Sequence, residues 1–343
     1  MSTERPVLLT GAAGFIGFHV AHRLLAAGRR VVGYDSISPY YDPALKEARL
    51  AQLAAQPGFQ LHRADLLDFD QLRHVFASEC PSEVIHLAAQ PGVRYSREAP
   101  RTYIESNIVG FFNVLEACRH RPAHAAVRHV VFASTSSVYG GNTRLPLSEH
   151  HGADHPLSLY AATKKANEAM AHAYSHLYGL SVTGLRFFTV YGPWGRPDMA
   201  PFKFTRAILA GQPIEVYNHG HHQRDFTFVG DVAESVMRIA ARPAQPDPRW
   251  NGSTPDPATS AAPYRLYNVG NSQPVQLLDF IRLLEQTLGR RAQLNMLPRE
   301  PGDVADTLSD SGDLAAAIDF RPATPIADGV AQFVDWYRAF YRV

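Results

Sequence analysis

Tyr160 and Lys164 stand four positions apart, in Tyr160-Ala161-Ala162-Thr163-Lys164, within a stretch whose pattern predicts a helix over 157–178. That spacing puts both side chains on one helix face. An ammonium beside a phenol stabilises the phenolate, so the tyrosine can take and return a proton near neutral pH. Such a pair also arises on amphipathic helices that do no chemistry, so its surroundings carry the reading. Upstream, Ser134-Thr135-Ser136-Ser137-Val138-Tyr139-Gly140 closes a strand predicted over 129–134. Hydroxyls at a strand end can bind a substrate hydroxyl and steady an oxyanion as a ketone forms, or simply cap a turn.

A second constellation lies at the N-terminus. Thr10-Gly11-Ala12-Ala13-Gly14-Phe15-Ile16-Gly17 follows a predicted strand and opens a predicted helix, the context a dinucleotide fingerprint requires. Glycines let the backbone turn tightly and approach a pyrophosphate, which sits on the positive end of the helix. The spacing is GxxGxxG rather than GxGxxG, and glycine turns of this kind also occur without a ligand. Asp35, at the end of the second predicted strand, adds weight. Its carboxylate can accept from the adenosine ribose hydroxyls and would repel a 2′-phosphate, which favours NAD over NADP. The plainer alternative makes Asp35 a turn former before Ser36. Asp65, after the third strand, is expected to reach the adenine edge.

The elements that must position these residues alternate. Strands are expected at 7–10, 30–34, 59–62, 83–88, 129–134 and 181–186, and helices at 15–27, 43–55, 69–77, 100–120 and 157–178. This predicts an α/β fold: a Rossmann-type doubly wound parallel sheet over residues 1–187, with a smaller C-terminal α/β substrate domain over 188–343 and the chain free to cross between them. In the second half we expect helices at 202–210, 231–241, 275–288 and 326–340, strands at 214–217 and 266–269, and a Pro-rich loop over 242–263.

Composition narrows the partners. The 343 residues are 45% hydrophobic and 19% charged, ordinary for a globular chain, and the net charge of +1 offers nothing to attract a nucleic acid. No apolar run reaches the roughly 18 residues of a membrane span. Met1 to Pro6 is too short and polar for a signal peptide, so a cytoplasmic protein is expected. Cys80 and Cys118 show no CxxC or metal spacing and suggest structural thiols in a reducing compartment. His150, His151, His155, His219, His221 and His222 fall in polar loops without ligand spacing, so no metal is expected.

At the glycine loop, the Ser-rich turn and Ser158 to Glu168, the sequence resembles the extended short-chain dehydrogenase/reductases. It resembles the UDP-glucuronate 4-epimerases more narrowly over these segments together with His86-Leu87-Ala88-Ala89-Gln90, Pro91-Gly92-Val93-Arg94-Tyr95-Ser96 and Arg186 to Met199, of which Val93-Arg94-Tyr95-Ser96 and Gly192-Pro193-Trp194-Gly195-Arg196-Pro197-Asp198-Met199 point to a uronate substrate. The resemblance puts Thr135, Ser136, Tyr160 and Lys164 on catalytic positions. It puts Asn107, Ala88 and Phe187 at the NAD site, to which Leu66, Ala89 and Ser134 are added, and Thr189, Lys203, Tyr217, Arg224 and Asp303 where the family holds the UDP moiety. Gln90, Ser136, Ser137 and Met199 are assigned to the sugar side. Arg196, then Arg94, is the candidate cation for the uronate. Three departures stand out: Ser36 for Asn, Gly230-Asp231 for Asp-Asp, and Glu300 for Gln. At the last, a carboxylate accepts but cannot donate.

The expected reaction is C4 inversion of UDP-glucuronate to UDP-galacturonate through a transient 4-keto sugar, with NAD recycled. The rivals are UDP-glucuronate decarboxylase, UDP-glucose 4-epimerase and, outside catalysis, an NAD-sensing regulatory protein. Small residues Gly110, Ala117, Ala166 and Ala173 on helices 100–120 and 157–178 suggest a homodimer formed by pairing those helices.

Overall fold

The computed structural model describes residues 5–299 and 306–343. In chain order the first half runs β1 (Val7–Thr10), α1 (Phe15–Ala26), β2 (Val31–Asp35), α2 (Pro43–Ala54), β3 (Phe59–Arg63), α3 (Phe69–Glu79) and β4 (Glu83–His86). Then come α4 (Tyr95–Glu98), α5 (Pro100–Tyr103), a π-helical turn (Ile104–Val109), α6 (Gly110–Arg119), β5 (His129–Thr135), α7 (Leu159–Tyr178) and β6 (Val182–Phe187). The second half contributes β7 (Thr189–Tyr191), α8 (Ala200–Leu209), β8 (Pro213–Val216), β9 (Gln223–Phe228), α9 (Val229–Ala240) and β10 (Tyr264–Val269). It ends with β11 (Pro274–Gln276), α10 (Leu277–Leu288), β12 (Gln293–Met296), α11 (Gly312–Ile318) and α12 (Ile326–Tyr341).

Seven strands form the main parallel sheet in the order β10-β6-β5-β4-β1-β2-β3. Its central strands are apolar runs buried on both faces, such as Val7-Leu8-Leu9, because helices cover both sides. The strand order reverses next to β1, the switch point where doubly wound sheets bind ligands beyond their C-terminal strand ends. Two segments beyond residue 187 are built into this layer. β10 pairs with β6 from Tyr264↔Val182 to Val269↔Phe187, and α9 buries Val232, Val236 and Ile239 in the same apolar core as Phe18, Ala21 and Leu24 of α1.

The remaining elements make the smaller layer. β7 pairs in parallel with β9, β9 antiparallel with β11, and β8 in parallel with β12. They share with α8, α10 and α12 a second core around Phe202, Phe226, Phe280 and Phe333. The expected helix 275–288 starts at Leu277, because Val275 belongs to β11, opposite Arg224. The expected helix 100–120 is interrupted by the π-turn. The 242–263 loop carries no regular element; Asp256 from this loop and Asp313 hold His150 at 2.8 and 3.1 Å. Among the described residues no helix is long and apolar enough to cross a membrane, and no cluster of His, Cys, Asp and Glu could hold a metal.

Candidate active site

The C-terminal ends of β1, β2, β4, β5 and β6 open into one cavity of about 860 Å3. Gly11, Gly14, Phe15, Ile16 and Gly17 line one end of it. Gly11 has φ +75°, and a Cβ there would lie 2.7 Å from the Ala88 nitrogen, so only glycine lets the loop lie against the end of β4. No side chain caps the first amides of α1, which leaves donors for an anion. Asp35 accepts from Ala13 N at 2.9 Å through Oδ2 and from Ile37 N at 2.8 Å through Oδ1. It is therefore a turn former and a fixed carboxylate at once, with lone pairs left for ribose hydroxyls. Asp65, Leu66, Ala88, Ala89, Ser134 and Phe187 line the same cavity, and Asp65 Oδ1 accepts from Leu67 N at 2.9 Å. A backbone cradle that a Cβ would fill, open helix amides and one oriented carboxylate fit a dinucleotide.

At the other end, Ser158 caps α7 by accepting from Ala161 N at 3.1 Å, which places Tyr160 in the first helical turn. Lys164, one turn on, donates from Nζ to the Ala133 carbonyl at 3.0 Å, and burial lowers its pKa to about 8. Burial raises the Tyr160 pKa, the Arg196 guanidinium and a Thr135 hydrogen bond pull it down, and Asp198 pushes it up. The cation acting on Tyr160 is thus Arg196, where the helical spacing led us to expect Lys164. Arg196 and Asp198 form a fork with contacts of 3.0 and 2.5 Å, and Tyr40 donates to Asp198 at 3.1 Å.

The catalytic strand end is braced from beneath. Arg186 on β6 makes two 2.8 Å contacts to Glu168 on α7, Ser134 donates to the same carboxylate at 2.6 Å, and the guanidinium lies 4.7 Å from the centre of the Tyr139 ring. Tyr139 in turn donates to Asn268 of β10 at 2.7 Å, so the turn carrying Ser136 and Ser137 is pinned to three strands and a helix.

Of the expected substrate residues, Gln90, Arg94, Ser136, Ser137, Thr189, Arg196, Met199 and Lys203 line the cavity with Thr135, Tyr160 and Lys164. Two described ones, Tyr217 and Arg224, do not, and neither does Asn107, which is expected at the NAD site. Asn107, inside the π-turn, accepts from Gln90 N at 2.8 Å and donates to Gln90 O and Thr163 Oγ1, so it holds the Gln90 loop against the catalytic helix. Tyr217 lies off the cavity with its ring 4.2 Å under the Arg94 guanidinium, and Arg224 sits on β9. Asp303 and Glu300 lie outside the described residues. Sequence reasoning missed Lys46, which donates to Ser38 O at 2.7 Å, as well as Tyr40 and Asp198. Asp198, two residues from Arg196 in a quoted segment, was the findable one.

The cavity thus joins a dinucleotide cradle to a buried phenol whose raised proton affinity is opposed by a cation, beside strand-end hydroxyls. It suits hydride removal from a carbinol coupled to proton transfer, on a substrate carrying an anionic group.

Residues 7–252 match the NAD dependent epimerase/dehydratase family. The chain is 53% identical to Protein CapI of Staphylococcus aureus over 98% of this chain and 99% of that one. It is 47% identical to a probable UDP-glucuronate 4-epimerase of Rhizobium meliloti (strain 1021), covering 98% and 97% respectively. Among solved structures it is similar to the UDP-glucuronic acid 4-epimerase from Bacillus cereus in complex with UDP-glucuronic acid and NAD, with a TM-score of 0.87, 30% identity, and coverage of 98% and 100%.

Proposed function

The chain belongs to the NAD dependent epimerase/dehydratase family, and from that premise we propose that it converts UDP-glucuronate to UDP-galacturonate by inverting C4. The observation that carries this reading is the convergence of Tyr160, Thr135 and Arg196 on the cavity that also holds the glycine loop and Asp35.

NAD bound at the loop supplies a reversible acceptor for the C4 hydride. Gly11, Gly14 and Gly17, the open amides of α1 and Asp35 would hold it, together with Lys164 of the same cavity. Tyr160, as phenolate, takes the proton of the sugar O4 while Thr135 hydrogen-bonds the same centre. The sugar becomes a 4-keto uronate, turns its other face, and receives proton and hydride back with C4 inverted. A 4-keto uronate is a β-keto acid and loses carbon dioxide when the carboxylate bond aligns with the carbonyl π system. Holding the carboxylate out of that alignment is the task we give to Arg196 and to the hydroxyls of Ser136 and Ser137.

The presence of Arg196 in the cavity favours a uronate over UDP-glucose. A regulatory NAD sensor has no use for the Tyr160–Arg196 coupling. A 4,6-dehydratase would require an acidic pair where Ser136 and Ser137 stand. Exposed apolar side chains on the π-turn, α6 and α7, among them Ile104 and Phe112 (each 43% exposed) and Leu177 (65%), support a homodimer through these helices. The small residues Gly110 and Ala117 are buried inside the subunit and do not form that face. Cys80 and Cys118, both unpaired, support a reducing cytoplasmic setting. The test is incubation of the purified protein with UDP-glucuronate and product analysis by NMR. UDP-galacturonate is expected; a UDP-pentose would mark a decarboxylase instead.

A further inference from the structure

Arg49 lies on α2, fully buried, and among the described residues no carboxylate hydrogen-bonds its guanidinium. It donates instead to neutral oxygens on three loops. Nη1 reaches the carbonyl of Ala13, inside the glycine loop, at 2.9 Å and the Tyr41 hydroxyl at 2.7 Å. Nη2 reaches the carbonyls of Trp194 at 2.6 Å and Gly195 at 3.4 Å, the two residues immediately before Arg196. The carbonyl before those, of Pro193, is held at 2.9 Å by Nε2 of His19 on α1. An oxygen acceptor there requires that this nitrogen carry the proton. Three successive carbonyls leading into Arg196 are therefore hung from the two helices that flank the cofactor loop. Trp194 itself adopts φ +61°, a conformation a non-glycine residue keeps only when its surroundings impose it.

Asp35 attracts this cation without touching it, and burying a guanidinium with no carboxylate in contact costs enough that an apolar residue of similar volume can serve stability as well or better. A planar guanidinium, unlike an ammonium, can bridge two backbones at fixed separation. Ala13 is gripped on both sides, because its N–H is given to Asp35 and its carbonyl receives Arg49.

We propose that Arg49 is a positioning residue that ties the cofactor loop to the Arg196 loop, so that cofactor retention and the placement of Arg196 beside Tyr160 depend on one buried fork. The inference rests on the epimerase reading for its kinetic half only. Its test compares Arg49→Met, which removes charge and fork, with Arg49→Lys, which keeps charge and loses the fork. Each is purified as the holoenzyme, and NAD per protomer, kcat, KM for UDP-glucuronate and the pH profile of kcat are measured.

The expected result for Arg49→Met is NAD content well below wild type and kcat lower by about tenfold or more. The acid limb of the profile should also move to higher pH as Arg196 leaves Tyr160. Arg49→Lys should recover part of the NAD content while kcat stays low. Wild-type NAD content, kcat and pH profile in both variants would overturn the proposal, even with a lowered melting temperature. So would a change in NAD content alone or in kinetics alone. Should Arg49→Met not fold, Arg49→Lys decides by the same readings. If the wild type does not act on UDP-glucuronate, the epimerase reading fails, and NAD content by itself still judges the grip on the glycine loop.

Discussion

At Tyr160 the protein must produce a phenolate inside a buried site, and burial alone would prevent it. The compensating charge comes from Arg196, a residue 36 positions away that is delivered by a loop. Tyr160→Phe should therefore lower kcat by about 10²–10⁴-fold while the protein still retains its NAD, as absorbance of the purified protein would report. Arg196→Gln tests the charge itself. Arg196 holds the Tyr160 pKa down, so its removal raises that pKa. Less phenolate is then present at any given pH, and the acid limb of kcat should shift to higher pH. The same variant loosens the carboxylate, and a UDP-pentose with carbon dioxide should appear among the products. An unshifted profile with clean epimerisation would remove Arg196 from both roles.

At the scale of elements, the Arg186–Glu168 pair joins β6 to the catalytic helix beneath Ser134, with both side chains buried. Breaking one half leaves an unpaired buried charge, so Glu168→Gln should lose about 3–5 kcal/mol of stability in urea titration. The double replacement Glu168→Leu/Arg186→Met should lose less, and a strictly additive double mutant would contradict the pairing. Elements of this first half were readable from sequence because each is a run with one period: Val7-Leu8-Leu9 as a strand buried on both faces, Leu159 to Tyr178 as a helix with Ser158 before it and Gly179 after it. β9 was not readable. Its Gln223-Arg224-Asp225 start looks like a loop, and it becomes a strand only because Asp225, fully buried, receives Asn271 N, Ser272 N and Ser309 N from distant segments. β7 is three residues long and offers no period to read. The site followed the same rule. The glycine loop, the Ser-rich turn and Tyr160–Lys164 were legible as local motifs. Asn107 and Arg49 do their work through tertiary contacts that no spacing encodes, and Tyr40 enters from an irregular loop after β2.

For the whole molecule, the return of β10 and α9 to the main layer ties the second half of the chain to the first. A keto sugar formed here turns within a cavity lined by residues before and after position 187. The apolar face at Ile104, Phe112 and Leu177 belongs to this scale too. Light scattering should give a dimer, and Phe112→Asp with Leu177→Asp should shift it to monomer while leaving the circular dichroism of the subunit unchanged; a wild-type monomer would reject that face. The central claim is that hydride leaves C4 and returns to C4 of the same sugar without escape of the ketone. UDP-glucuronate carrying deuterium at C4 tests it most directly, with products followed by NMR and mass spectrometry. The account predicts UDP-galacturonate with deuterium retained at C4 and no reduced cofactor in solution. Loss of the label, or a UDP-pentose formed with carbon dioxide, would contradict it.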